Sequence, residues 1–158
     1  MKHLPKHLRP RWRYLAVDIE TWPDADVDRK STQRHLWYAA QNLLGDVASA
    51  AVDLSVVQFE SVACGAEAIV RVRRGEVDRA RAVRACLDRI DDAAVGVRVR
   101  GVSGTVRACE EKYMGGRPEG MEKRQVALGE QQCSAEVRGG RVDVRVDGTF
   151  AGATTLDI

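Results

Sequence analysis

From Arg13 to Glu20 apolar and polar positions alternate, Leu15, Val17 and Ile19 against Tyr14, Ala16 and Asp18. A period of two predicts a strand with one face buried. Aspartates then precede Leu36, Ala39, Ala40, Leu43 and Leu44 at helical spacing, with Gly45 behind them, which predicts a helix of about four turns ending at the glycine. Val52, Leu54 and Val56 share one parity and Val57 and Phe59 the other, so the second strand carries either a bulge or two buried faces. Gly65 turns the chain into "AEAIVRVRR", where Ala68, Val70 and Val72 share one face and Ile69, Arg71 and Arg73 the other. "GEVDRARAVRACLDRI" sets Val77, Ala80, Val83, Ala85, Leu87 and Ile90 among charges, acids early and arginines late as a helix dipole favours, and predicts a second helix. In "AAVGVRVRGV" Val95, Val97 and Val99 alternate with Arg98 and Arg100 as a fourth strand, and "SGTVRACEEKYM" opens a short third helix.

The order β-α-β-β-α-β predicts an α+β fold: a ferredoxin-like, RRM-like sandwich with an antiparallel four-stranded sheet, both main helices on one face and an extra C-terminal helix. Residues 1–12 carry two prolines and no periodicity and form a basic arm; 13–114 form the domain. Residues 115–158 begin with the linker "GGRPEGMEKRQ" and continue into a small C-terminal extension with a hairpin turning at Gly139-Gly140.

Composition narrows this picture. Aromatic residues make up only 5% of 158 residues, so the core is built mainly from Val, Ala, Leu and Ile. No apolar run approaches the ~20 residues that span a bilayer, and the basic N-terminus has no apolar segment behind it, which predicts a cytoplasmic protein without membrane contact. Cys64, Cys86, Cys109 and Cys133 lie 22, 23 and 24 residues apart with no C-x-x-C pair, poor spacing for a metal, and read as small hydrophobes.

The net charge of +2 conceals segregation. Lys2, Lys6, Arg9, Arg11 and Arg13 precede the first acid, and Asp18, Glu20, Asp24, Asp26 and Asp28 follow without a base among them. Arginine outnumbers lysine 20 to 5, a bias that suits phosphate because the guanidinium fork donates bidentately. In the expected sheet, Leu15, Val17, Ile19, Val70, Val72, Val95, Val97 and Val99 face the helices. Tyr14, Arg71, Arg73, Arg98 and Arg100 are left to the open face. Two readings stand there: an ordinary solvated face, or a phosphate-binding surface on neighbouring strands that carry arginine with no acidic partner on that parity. The corner "GVSGTVR" also divides two ways. It is a simple strand-to-helix turn, or an anion site in which Ser103 or Thr105 caps the helix, Gly101 and Gly104 let a phosphate approach, and Arg107 and Lys112 add charge. Its spacing matches neither nucleotide-loop pattern. The acids from Asp18 to Asp28 either charge the first helix's start or hold Mg²⁺. His3, His7 and His35 have no nucleophile context, and no self-contained active site emerges.

The arm "LPKHLRPRWRYLAVDIE", the segment "AIVRVRRGEVDRARAVRACL" and above all "VRGVSGTVRACEEKYM" resemble the Pop/Rpp-type ribonuclease P subunit family, archaeal protein component 2 in particular, over residues 4 to 114. The resemblance implies an RNA-binding subunit of the ribonucleoprotein that removes 5′ leaders from precursor tRNA. It implies partnership with ribonuclease P RNA and with component 3, a TIM-barrel subunit, in a heterotetramer, with no cofactor on the protein and Mg²⁺ on the RNA. Residues expected to meet RNA are Lys6, Arg9, Arg11, Arg13, Tyr14, Arg71, Arg73, Arg98, Arg100, Ser103, Gly104, Thr105, Arg107 and Lys112. The third strand lacks the paired aromatics with which RNA-recognition motifs stack bases, so shape and phosphate contact are expected. A different class, a ferredoxin-like anion- or metabolite-sensing module, would use the glycine corner for a small anion. An acylphosphatase-type enzyme would place its loop after the first strand, not the fourth.

Overall fold

The computed structural model describes residues 3–116 and 121–158. Lys2 of the expected arm and residues 117–120 of the expected linker lie outside them. The elements are β1 (Trp12–Thr21), α1 (Arg29–Val52), β2 (Ser55–Val62), β3 (Gly65–Arg73), α2 (Val77–Ala85), β4 (Arg89–Ile90), β5 (Ala93–Ser103), α3 (Val106–Tyr113), β6 (Glu122–Leu128), β7 (Gln131–Arg138), β8 (Arg141–Val146) and β9 (Thr149–Thr154). The first sheet runs β2-β3-β1-β5-β4 and is antiparallel throughout. Leu15, Val17, Ile19, Val70 and Val72 pack against Leu36 and Ala40 of α1 and Ala80 and Val83 of α2, with Val95, Val97 and Val99 beside them. The faces follow the alternation because only one parity of each strand is apolar enough to lie under two helices.

Both main helices differ from expectation at their C-terminal ends, and the choice left open in the second strand is settled. Asp28 caps α1 by accepting from the Ser31 N–H at 2.8 Å, but the helix does not end at Gly45. That glycine breaks it with φ of 78°, and a further stretch continues to Val52. The register slip in β2 resolves as a bulge between Val56 and Gln58. α2 ends at Ala85, and the chain then extends so that Leu87 and Ile90 still reach the core, Ile90 from the short β4.

β1 is buried on both faces. Ala16 and Ile69 on the side away from α1 and α2 form a second small core with Cys109 of α3, flanked by Tyr14, Val57, Val106, Tyr113 and Met114. The face expected to be open is therefore covered at its middle. Gly101 and Ala16 are cross-strand partners, and this pair of small residues makes the trough in which α3 lies. A Cβ at Gly101 would enter the Tyr113 ring.

In place of a lone hairpin, the C-terminal segment forms a second antiparallel sheet, β6-β7-β8-β9, with its own core of Val126, Cys133, Ala135, Val142 and Val144. It meets the first sheet at the end of β1. Trp22 stacks on Phe150 with centroids 5.9 Å apart, and Arg138 donates to the carbonyls of Thr21 and Cys64 at 3.1 and 3.2 Å. Cys64, Cys109 and Cys133 are buried and Cys86 is exposed, all as free thiols. Burial pushes the Cys109 thiol above its ordinary range. Among the described residues no helix is long and apolar enough to cross a membrane.

Candidate nucleic-acid interface

α3 divides the outer face of the first sheet into two ends. At the far end lie Asp18, Glu20 and Glu67 with Arg98 and Arg100. Arg98 pairs with Asp18 at 3.3 Å and Arg100 with Glu67 at 3.2 Å. The two carboxylates are only 3% and 4% exposed, so each needs a cation, and these arginines serve that need. Glu67 also accepts from the Gly115 N–H at 3.2 Å. The second sheet adds Arg138, paired with Asp143 at 3.1 Å, and Arg141, paired with Glu20. Asp18, Glu20, Arg98, Arg100, Arg138 and Arg141 line a cleft of about 200 Å³. At this end of the face four arginines pair with four carboxylates.

This overturns the expectation that the strand arginines lack acidic partners on their parity. Glu67 shares the parity of Arg71 and Arg73, and Asp18 shares that of Tyr14. Nor are the arginines side by side: β3 and β5 flank β1, placing Arg71 and Arg73 at one end of the face and Arg98 and Arg100 at the other.

The near end is different. Trp12 lies opposite Arg73, and Tyr14 lies between Arg71 and Ser103. The guanidinium carbons of Arg71 and Arg73 sit 4.0 and 4.4 Å from the Trp12 ring centre. Arg73 also reaches Asp53, whose left-handed backbone ends α1, at 3.4 Å. Arg74 and Arg11 are exposed and joined through the Arg74 N–H and the Arg11 carbonyl at 2.9 Å. The Arg13 guanidinium lies against Gly104, 3.3 Å from where a Cβ would stand. Among the described residues no carboxylate pairs with Arg11, Arg13, Arg71 or Arg74. The Arg71 Nε and the Ser103 hydroxyl are buried without a hydrogen-bond partner.

The profile of the Rpp14/Pop5 family matches residues 13–114. The chain belongs to the Rpp14/Pop5 family. Among Rpp14/Pop5 relatives, ribonuclease P protein component 2 of Haloarcula marismortui is 61% identical over 159 residues, covering 99% of each chain. Ribonuclease P protein component 2 of Methanosarcina barkeri is 32% identical over 114 residues, 72% of this chain and 80% of that one. A chain in the cryo-EM structure of yeast ribonuclease MRP superposes with a TM-score of 0.47 at 17% identity, over 60% of this chain and 75% of that one. The resemblance seen in the sequence is thus borne out. The Rpp14/Pop5 match closes at Met114, the C-cap that follows α3, so Arg138 and Arg141 reach the far end from outside it.

The remaining expected residues scatter. Thr105 caps α3 by accepting from the Ala108 N–H at 3.1 Å, while Ser103, the other candidate cap, is buried opposite Tyr14. Gly101 makes room for Tyr113 rather than for an incoming phosphate. Arg107 is exposed but pairs with Glu111 at 2.9 Å, and Lys112 is exposed on α3. Lys6 lies in a single helical turn of the arm, and Arg9 donates to the Leu4 carbonyl at 2.9 Å. Of the acids set aside as a possible Mg²⁺ group, Asp28 caps α1 and Asp18 and Glu20 pair with arginines. Sequence reasoning missed Trp12 and Arg74. Both were within reach of it: Trp12 shares Tyr14's parity, and Arg74 directly follows the arginine strand.

Proposed function

We propose that this chain is an RNA-binding protein subunit of ribonuclease P, which supports the catalytic RNA as it removes the 5′ leader from precursor tRNA. The observation that carries the reading is the near end of the sheet, where Arg11, Arg13, Arg71 and Arg74 stand without carboxylate partners among the described residues of a Rpp14/Pop5 chain. Unneutralised guanidiniums on one surface attract a polyanion and release its counterions on binding. The hydrolytic Mg²⁺ belongs to the RNA, and this protein contributes binding and positioning from the cytoplasm. Its protein partner in the assembly is component 3, the TIM-barrel subunit, within a heterotetramer built on two copies of this chain. The β2-β3-β1-β5 order with α1 and α2 on one face supports a ferredoxin-like layout for residues 12–103.

The test is cleavage of precursor tRNA by the cognate ribonuclease P RNA with and without this chain, alongside RNA affinity at several salt concentrations. The full chain lowers the Mg²⁺ needed for cleavage. The double variant Arg71→Ala, Arg74→Ala weakens RNA binding and lowers the log–log salt slope by roughly one per lost phosphate contact. Cleavage and affinity indifferent to the chain would overturn the reading.

A further inference from the structure

We propose that the near end holds an unpaired nucleobase by stacking against the Trp12–arginine group, so that this surface discriminates single-stranded from fully paired RNA. The inference rests on the RNA-binding reading above and adds a ligand class to it.

Trp12 opens β1 on the outer face and is half-buried, held against its strand partner Arg73 and the diagonal Arg71. Two guanidiniums lie within 4.4 Å of one ring centre. Two cations held against one ring repel each other, and the indole quadrupole offsets that cost in part. At the far end of the same face each arginine meets a carboxylate. Here Asp53 reaches Arg73, and no carboxylate among the described residues reaches Arg71. The group is therefore a flat, π-rich and cationic surface short of anionic charge.

A nucleotide supplies both missing parts. Its base extends the indole–guanidinium stack, and its phosphate accepts from the arginine N–H groups that the ring leaves unused. A paired base in an A-form helix keeps both faces stacked on its neighbours and cannot enter. An unpaired base in a loop, a bulge or a single-stranded end can. The paired aromatics of an RNA-recognition motif are not needed, because a base also stacks on the plane of an arginine guanidinium.

The test measures anisotropy of a labelled ten-nucleotide single-stranded RNA and of the blunt duplex of the same sequence, using the full chain and its variants Trp12→Leu and Trp12→Phe. Trp12→Leu weakens single-strand binding about tenfold, the loss expected for one stacked base, without changing the salt slope or the duplex affinity. Trp12→Phe recovers most of the loss. Phe150→Leu, which removes the Arg145–Phe150 ring contact in the second sheet, changes neither affinity. Equal losses on both RNAs, or no loss on either, overturn the stacking site while leaving Arg71- and Arg74-dependent RNA binding intact. A wild-type chain that binds neither RNA overturns the RNA-binding reading itself. Should Trp12→Leu fail to fold, the double variant Trp22→Phe, Trp37→Phe leaves Trp12 as the sole tryptophan. Its fluorescence is then quenched by the single strand and not by the duplex, and absence of that difference sinks the proposal.

Discussion

The two ends of the α3-covered face are made from the same residue type, supplied by β3 and its flanks at one end and by β5 and the second sheet at the other, yet they have opposite electrostatics. At the far end Arg98, Arg100, Arg138 and Arg141 meet Asp18, Glu67, Asp143 and Glu20, so the arginines satisfy acids that the fold has buried or drawn together. At the near end Arg11, Arg13, Arg71 and Arg74 have no such partners among the described residues, and the Trp12 indole supports the guanidiniums of Arg71 and of Arg73, the one near-end strand arginine that meets an acid, Asp53. An arginine count does not therefore locate a polyanion surface. What matters is whether a carboxylate shares the arginine's face and row, and in this sheet that is decided by antiparallel register across β1.

The comparison depends on α3 staying between the ends, and the largest expected effect comes from dislodging it. Gly101→Ala drives a methyl group into the Tyr113 ring and lowers stability by about 2–3 kcal/mol in urea unfolding. A Tyr113→Ala background removes most of that loss, and without this rescue the account of the trough fails. Next comes a test of the far end. Arg100→Ala leaves Glu67 buried without its cation and costs about 2 kcal/mol, while the salt slope of RNA binding stays at the wild-type value. A reduced slope would mean that the paired arginines also bind phosphate, which would erase the distinction between the ends. Thr105→Ala deletes the cap of α3 and lowers stability by about 1 kcal/mol, again with no change of slope. An altered slope would place the cap at the RNA surface.

The smallest effect is a pH dependence confined to the far end. Burial holds the Asp143 carboxyl above its ordinary range, and the neighbouring Arg138 only partly counters it. With the folded pKa raised, this group's contribution to stability is complete below the ordinary value of 3.8 and is lost as pH rises through the folded value. Carboxyl-carbon NMR titration should find Asp143 protonating at a higher pH than a free aspartate. Asp143→Asn should flatten the corresponding part of the stability–pH curve. A normal midpoint would remove burial as the dominant influence at this pair.

Much of the chain was legible in order. The alternations at 13–20, 66–74 and 93–102 predicted strands and their inner faces, because a sheet under two helices admits only the apolar parity. The slip at Val56 and Val57 was a bulge in waiting. The cover on the other face was harder to see, since its evidence is the smallness of Ala16 and Gly101, and small residues announce neither a partner nor a distance. The stop expected at Gly45 became a break because tertiary contacts hold Val52 in the core beyond it. The second sheet was visible as one hairpin; its outer strands, "EKRQVAL" and "TFAGAT", carry too few apolar residues to alternate clearly.

The candidate site divides in the same way. The sequence by itself determined an arginine-rich β-α-β-β-α-β chain with a glycine corner and no catalytic cluster, and its wording was enough to recognise the family. Only the tertiary structure decided which arginines remain available to an anion, because pairing across β1 joins Asp18 to Arg98 over 80 positions of sequence and Glu67 to Arg100 over 33. Alternation is a local property of one strand and survives in a one-dimensional reading. Neutralisation is a property of distance between strands, and distance exists only after the chain has folded.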